Sequence, residues 1–161
     1  MSAVDNLKKQ GNQAFSAKEY QKAISFYNDA IDLDPENYTI YSNRSGSYCA
    51  LGKYEQAAAD AKKVIQFKPD WVRGYTRLGA ALQGSQDWDG AEQAFIKALE
   101  LDPTNENIKS DLEQVRRNKA SEHSQDEKAG QAVSQLFSEE NLTRIAMTNP
   151  AFMQLIQDPS V

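Results

Sequence analysis

Apolar, small and proline positions recur along the first two-thirds of the chain at one fixed interval of 34 residues. Pro35, Pro69 and Pro103 mark the interval, Ala23, Ala57 and Ala91 repeat it, and so do the aromatics Tyr20, Tyr54 and Trp88. The small residues Gly11, Ser45 and Gly79 fall on the same register. This divides the chain into repeats 4–37, 38–71 and 72–105, each with an A helix (4–17, 38–51, 72–85) and a B helix (20–33, 54–67, 88–101). The assignment has a steric basis. A small residue is needed where helix A crosses its own helix B, and the three alanines play the matching part on helix B. Tyr20, Tyr54 and Trp88 fill the gap near each turn, while Phe26, Tyr27, Ile31, Ile65, Phe95 and Leu99 supply the core. Asp34-Pro35, Lys68-Pro69 and Asp102-Pro103 end the B helices, because proline cannot continue the ladder and restricts the residue before it.

A period of this length with two antiparallel helices per unit is the tetratricopeptide repeat (TPR) pattern, so an all-α TPR superhelix is expected. A stack of three repeats leaves its last apolar side open. Residues 106–120 supply a seventh, capping helix, with Ile108, Leu112 and Val115 on one face at helical spacing. The TPR domain is thus expected over 4–120. Residues 121–130, SEHSQDEKAG, carry no apolar stripe and read as a polar linker. Periodicity returns over 131–161 in three short amphipathic turns. These carry Val133, Leu136 and Phe137; then Leu142, Ile145 and Met147; then Phe152, Met153, Leu155 and Ile156 after Asn149-Pro150. Thirty residues bury little surface alone, so this segment is expected to be the truncated start of a second helical domain.

Charge and composition narrow the function. A formal net charge of −5 gives no reason to expect nucleic-acid binding, and any basic site must be local. No stretch is apolar and long enough to span a membrane, and the N-terminus lacks a secretory pattern; a cytoplasmic protein is expected. With one cysteine, Cys49, and one histidine, His123, in the expected linker, neither a catalytic Cys–His pair nor a metal site is expected. The chain is read as a non-enzyme without cofactors.

The A helices of such a superhelix line its concave face, an extended peptide-binding surface. Lys8 and Asn12 on the first A helix, Asn43 on the second, and Arg73 and Arg77 on the third therefore converge on one groove. Arg73 and Arg77, four apart, are neighbours on the helix surface and repel unless an anion lies across them. Arginine grips a carboxylate in a fork, lysine acts as a point charge, and asparagine donates to a carboxylate or pins a peptide backbone. The set suits capture of a free C-terminus plus an acidic side chain. Phe15, Gly46, Cys49 and Gln83 are candidates for walls that select upstream residues.

These five polar residues fall on the positions of the two-carboxylate clamp of chaperone-binding TPR domains. The strings KKQGNQAFSAKEYQKAI, YSNRS and KPDWVRGYTRLGAAL resemble the N-terminal TPR domain of the Hsp70–Hsp90 organising co-chaperone family (Hop/Sti1). The tail QLFSEENLTRIAMTNPAFMQLIQDP resembles the start of that family's aspartate-proline-rich domain. The resemblance implies that the groove holds the C-terminal Glu-Glu-Val-Asp of the 70-kDa heat-shock chaperone, with the 90-kDa chaperone as a further partner. Lys8, Asn12, Asn43 and Arg77 would hold the last aspartate, and Arg73 a side-chain carboxylate or backbone carbonyl. The chain would then be a monomeric piece of a longer multidomain scaffold that brings chaperones together for client transfer. Two other readings stay open: a clamp-type TPR adaptor of another family, and a structural or self-associating TPR module with no preference for acidic tails.

Overall fold

The computed structural model describes residues 1–148; the third amphipathic turn, Phe152 to Ile156, lies outside them. The helices are α1 (Ala3–Ser16), α2 (Tyr20–Leu33), α3 (Tyr38–Ala50), α4 (Tyr54–Phe67), α5 (Val72–Gly84), α6 (Trp88–Leu101), α7 (Glu106–Leu136) and α8 (Glu139–Thr148). The three B helices, α2, α4 and α6, have the bounds expected from sequence. The residues after them, Asp34, Lys68 and Asp102, take an extended φ of −142°, −140° and −139° as the following proline demands. The A helices, α1, α3 and α5, end one residue short of expectation, because Ala17, Leu51 and Ser85 already serve as C-caps. One residue further on, Lys18, Gly52 and Gln86 adopt left-handed φ values of 61°, 72° and 64°. That conformation suits the residue that reverses the chain after a helix, and only the second repeat provides glycine for it.

The chain divides into two compact units, Met1–Lys119 and Ala120–Val161. In the first, each A helix packs on its own B helix, and α2 packs on α3 and α4 on α5 across the repeat boundaries. In addition α1 touches α3 and α3 touches α5, so the A helices share one face. The small-residue crossings are explained by what faces them. A Cβ on Gly11 would collide with the Tyr27 ring, and one on Gly79 would lie 2.7 Å from Phe95 Cζ. In the second repeat the register places Ala61 where Tyr27 and Phe95 stand. A serine fits there, and Ser45 Oγ donates a 2.8 Å hydrogen bond to the Ala57 carbonyl.

A charged pair lies within this packing. Arg44 on α3 donates through Nε and Nη2 to the two carboxylate oxygens of Asp60 on α4, at 2.8 and 2.7 Å, and through Nη1 to Asn28 Oδ1 on α2 at 2.8 Å. Three helices from two repeats are thereby tied by one guanidinium. At the other end α7 closes the stack. Ile108, Leu112 and Val115 join Ala91, Phe95 and Ala98 in one buried cluster. Outside that cluster Glu92 on α6 accepts from Arg116 Nε at 2.7 Å and Lys119 Nζ at 3.1 Å.

The expected linker at 121–130 is corrected: these residues are helical, inside a 31-residue α7. Nothing in SEHSQDEKA stops a helix, since it lacks proline and its side chains keep the backbone ladder intact. Gly130 costs only about 1 kcal/mol relative to alanine. His123 Nε2 and Glu127 Oε1 lie 3.3 Å apart at i,i+4, a helical spacing. An apolar stripe reports burial, not helicity, and every side chain from 120 to 136 is exposed. Val133 and Leu136 consequently belong to the end of α7, not to a separate turn. Glu139 and Glu140 open α8, which carries Leu142, Ile145 and Met147. No described helix is long and apolar enough to cross a membrane.

Candidate peptide-docking groove

The shared A-helix face places Asn12 and Phe15 of α1, Asn43 of α3, and Arg73 and Arg77 of α5 around one concavity of about 260 Å³, with Ser16 and Tyr27 completing its lining. Five of the nine candidate residues thus meet in one place. Phe15 forms an aromatic wall, braced edge-to-face by Tyr20 at 5.4 Å between ring centres.

Arg77 is the electrostatic centre. Its guanidinium lies flat on Gly46, where a Cβ would come within 2.9 Å of Nη1, 3.1 Å of Cζ and 3.2 Å of Nη2. Gly46 is therefore the floor under Arg77 and not a wall selecting peptide side chains. Arg77 Nε is buried and has no hydrogen-bond partner, and no carboxylate among the described residues pairs with either groove arginine. Burial lowers the Arg77 pKa from its ordinary value, and the like charge of Arg73 lowers it further. A partly buried cation without a counter-charge is costly to the free protein, and an anion entering the groove would relieve that cost. Arg73 differs. It is exposed at the rim, with its guanidinium carbon 5.4 Å from the ring centre of Trp71, and Trp71 in turn meets Tyr38 edge-to-face.

The amides are linked. Asn12 Oδ1 accepts from Tyr27 Oη at 2.7 Å and from Asn43 Nδ2 at 2.9 Å. Cys49 is half-buried beside the groove; burial pushes its thiol pKa up against the opposing pull of Arg77, which makes it a poor nucleophile. Lys8 is not in the same concavity. It lines a neighbouring depression of about 450 Å³ with Asp5, Lys9, Asn12, Gln13 and Ser16, and its Nζ lies 3.5 Å from Asp5. Asn12 and Ser16 border both hollows. Gln83, half-buried in the last turn of α5, lines neither. Two lining residues escape sequence reasoning. Ser16 carries no signal that marks it, whereas Tyr27, assigned to the core, has a hydroxyl that had to go somewhere.

Fold and site define a class: a helical repeat scaffold that presents a cation- and amide-lined groove on its A helices. The chain belongs to the tetratricopeptide repeat family, two of whose models match residues 14–82 and 72–105, together 92 of the 161 residues. It is 40% identical over 159 residues to heat shock protein STI1 of Saccharomyces cerevisiae, covering 98% of this chain and 26% of that one. It is 38% identical over 165 residues to the Hsp70–Hsp90 organizing protein of Triticum aestivum, covering 96% and 28%. The chain therefore spans about a quarter of the length of these relatives. Among solved structures, the first TPR of Spaghetti (RPAP3), bound to the HSP90 peptide SRMEEVD, matches with a TM-score of 0.70 and 29% identity, over 73% of this chain and 93% of that one. The second TPR domain of human RPAP3, in complex with the HSP70 peptide SGPTIEEVD, matches at 0.66 and 28%, over 68% and 92%.

Proposed function

We propose that the groove docks the free C-terminal tail of a heat-shock chaperone, a peptide ending Glu-Glu-Val-Asp, with the 70-kDa chaperone as the preferred partner and the 90-kDa chaperone as a second one. The observation that carries this reading is the Arg77 guanidinium, packed on Gly46 with its Nε unpartnered and no carboxylate in reach. Both peptides seen on the RPAP3 domains end in the same four residues, which supports the choice of tail. In this reading Arg77, Asn12 and Asn43 hold the terminal aspartate, with Lys8 reached from the neighbouring hollow. Arg73 takes an upstream side-chain carboxylate at the rim, and Phe15 and Cys49 contact apolar side chains between. The chain works by adhesion alone: it is an adaptor without turnover, acting in the cytoplasm as one docking module of a longer scaffold that brings chaperones together for client transfer.

Calorimetric titration with matched 70- and 90-kDa tail heptapeptides, each with a free and an amidated C-terminus, tests it. Free-ended peptides are expected to bind, more weakly as salt rises because partly exposed ion pairs are screened, and amidation should nearly abolish binding. Equal affinity for free and amidated peptides would overturn the reading in favour of an adaptor for internal motifs. Absence of binding by all four would leave a structural or self-associating module.

A further inference from the structure

We infer that Tyr27, a buried B-helix residue, is a positioning residue of the groove: its hydroxyl fixes which way round the Asn12 amide stands, and so makes the groove present a donor rather than an acceptor to a carboxylate. The inference rests on the docking reading above.

The repeat supplies its own internal comparison. Tyr27 and Phe95 stand at equivalent positions 68 residues apart, and each ring fills the space left by a missing Cβ, Gly11 for one and Gly79 for the other. A phenyl ring does that packing in the third repeat, so the Tyr27 hydroxyl is surplus to packing. Tyr27 is only 1% exposed, and a buried O–H must find an acceptor or cost about 1–3 kcal/mol. Its acceptor is Asn12 Oδ1, at 2.7 Å.

Asn12 Oδ1 also accepts from Asn43 Nδ2 at 2.9 Å. Two donors saturate the lone pairs of a carbonyl oxygen, so the Asn12 Nδ2 hydrogens stay free for a ligand, and Asn12 lines the concavity. The Asn12–Asn43 pair alone could not hold this arrangement. If both amides flipped together, Asn12 Nδ2 would donate to Asn43 Oδ1, with the same number of hydrogen bonds between them. What separates the two states is the tyrosine proton: a flipped Asn12 could donate to the phenol oxygen, but the buried O–H would then lose the Asn12 acceptor it now has. Burial keeps the phenol protonated, with a pKa of about 12 despite the nearby Arg77 charge, so it remains a donor throughout the neutral range. A flipped Asn12 would meet an incoming carboxylate with an oxygen, whereas the present one keeps its N–H groups free in a lining it shares with Arg77.

Tyr27→Phe isolates the hydroxyl, and the thermal midpoint should stay within a few degrees of the parent. In the free protein, the Asn12 and Asn43 side-chain amide signals in a nitrogen–proton correlation spectrum should shift or broaden as the two orientations approach equal population. Affinity for a free-ended Glu-Glu-Val-Asp heptapeptide should fall about two- to tenfold: twofold from halving the competent population, the remainder from the lost polarisation of the amide. In an Asn12→Ala background the same substitution should cost nothing further. Unchanged amide signals in free Tyr27→Phe, or an equal loss of affinity with and without Asn12, would overturn the inference. If the parent protein itself binds free and amidated peptides alike, the docking reading falls. The amide signals of the free protein then still decide whether Tyr27 orients Asn12.

Discussion

Removing the Asp60 carboxylate should strand the Arg44 guanidinium, and the size of the effect follows from its surroundings. The two side chains are 18% and 7% exposed, and the pair is held by two short hydrogen bonds. Breaking such a pair from one side costs about 3–5 kcal/mol. Arg44 would keep its bond to Asn28 and its place 5.5 and 5.7 Å from the ring centres of Tyr41 and Tyr48. Those residual partners put the expected loss for Asp60→Ala near the lower end, about 3 kcal/mol. With about 2.1 cal/mol/K of unfolding entropy per residue over Met1–Lys119, that corresponds to a fall in Tm of roughly 12 °C. Thermal denaturation followed by circular dichroism measures it. Because the penalty is a stranded charge and not lost volume, Arg44→Met combined with Asp60→Leu should recover most of the loss. A fall of less than about 3 °C in the single variant, or a double variant no better than the single, would mean that Asp60 does not neutralise a buried charge of this cost.

Other outcomes follow from the same structure. Arg77→Met removes a partly buried charge with no carboxylate partner among the described residues, so Tm should hold or rise while tail-peptide binding weakens by about 2–5 kcal/mol. A marked fall in Tm would instead assign Arg77 a structural role. Hydrogen bonds from Arg116 and then Lys119 hold the Glu92 carboxyl below its ordinary pKa. Its contribution to docking α7 is therefore fully present above the unfolded-state value and lost as pH falls through the depressed folded one. Tm should decline more steeply on acidification in the parent than in Glu92→Gln, and parallel profiles would count against that contact.

What the sequence carried, and what it did not, divides along physical lines. Strong stops and a fixed period carry local information, so the three B helices were legible to the residue from their Asp-Pro and Lys-Pro ends. The A helices end in cap geometry set by Lys18, Gly52 and Gln86, of which only the glycine advertises itself. Residues 121–130 look like a linker in sequence because their polarity reports absence of burial, which is not absence of a helix. Within the groove, the placement of Asn12, Asn43, Arg73 and Arg77 on one face was readable from helix assignment and register. Lys8 lies in the adjoining hollow with its own-helix partner Asp5, a placement that spacing does not encode. The Arg44–Asp60 pair spans two helices and has no local spacing signature. Its one trace is Asp60 itself, an acid set among Ala57, Ala61 and Val64 on the buried stripe of α4.

The proposed docking rests on Arg77 as an anion site left open for a peptide's carboxylate. Nitrogen–proton spectra of the Arg77 Nε–H, recorded while a free-ended Glu-Glu-Val-Asp heptapeptide is added, test it most directly. A charge-assisted hydrogen bond at the guanidinium should shift this signal and slow its exchange with water in step with binding, and the amidated peptide should leave it where it was. Saturating binding of the free-ended peptide with an unmoved Arg77 signal would contradict the account.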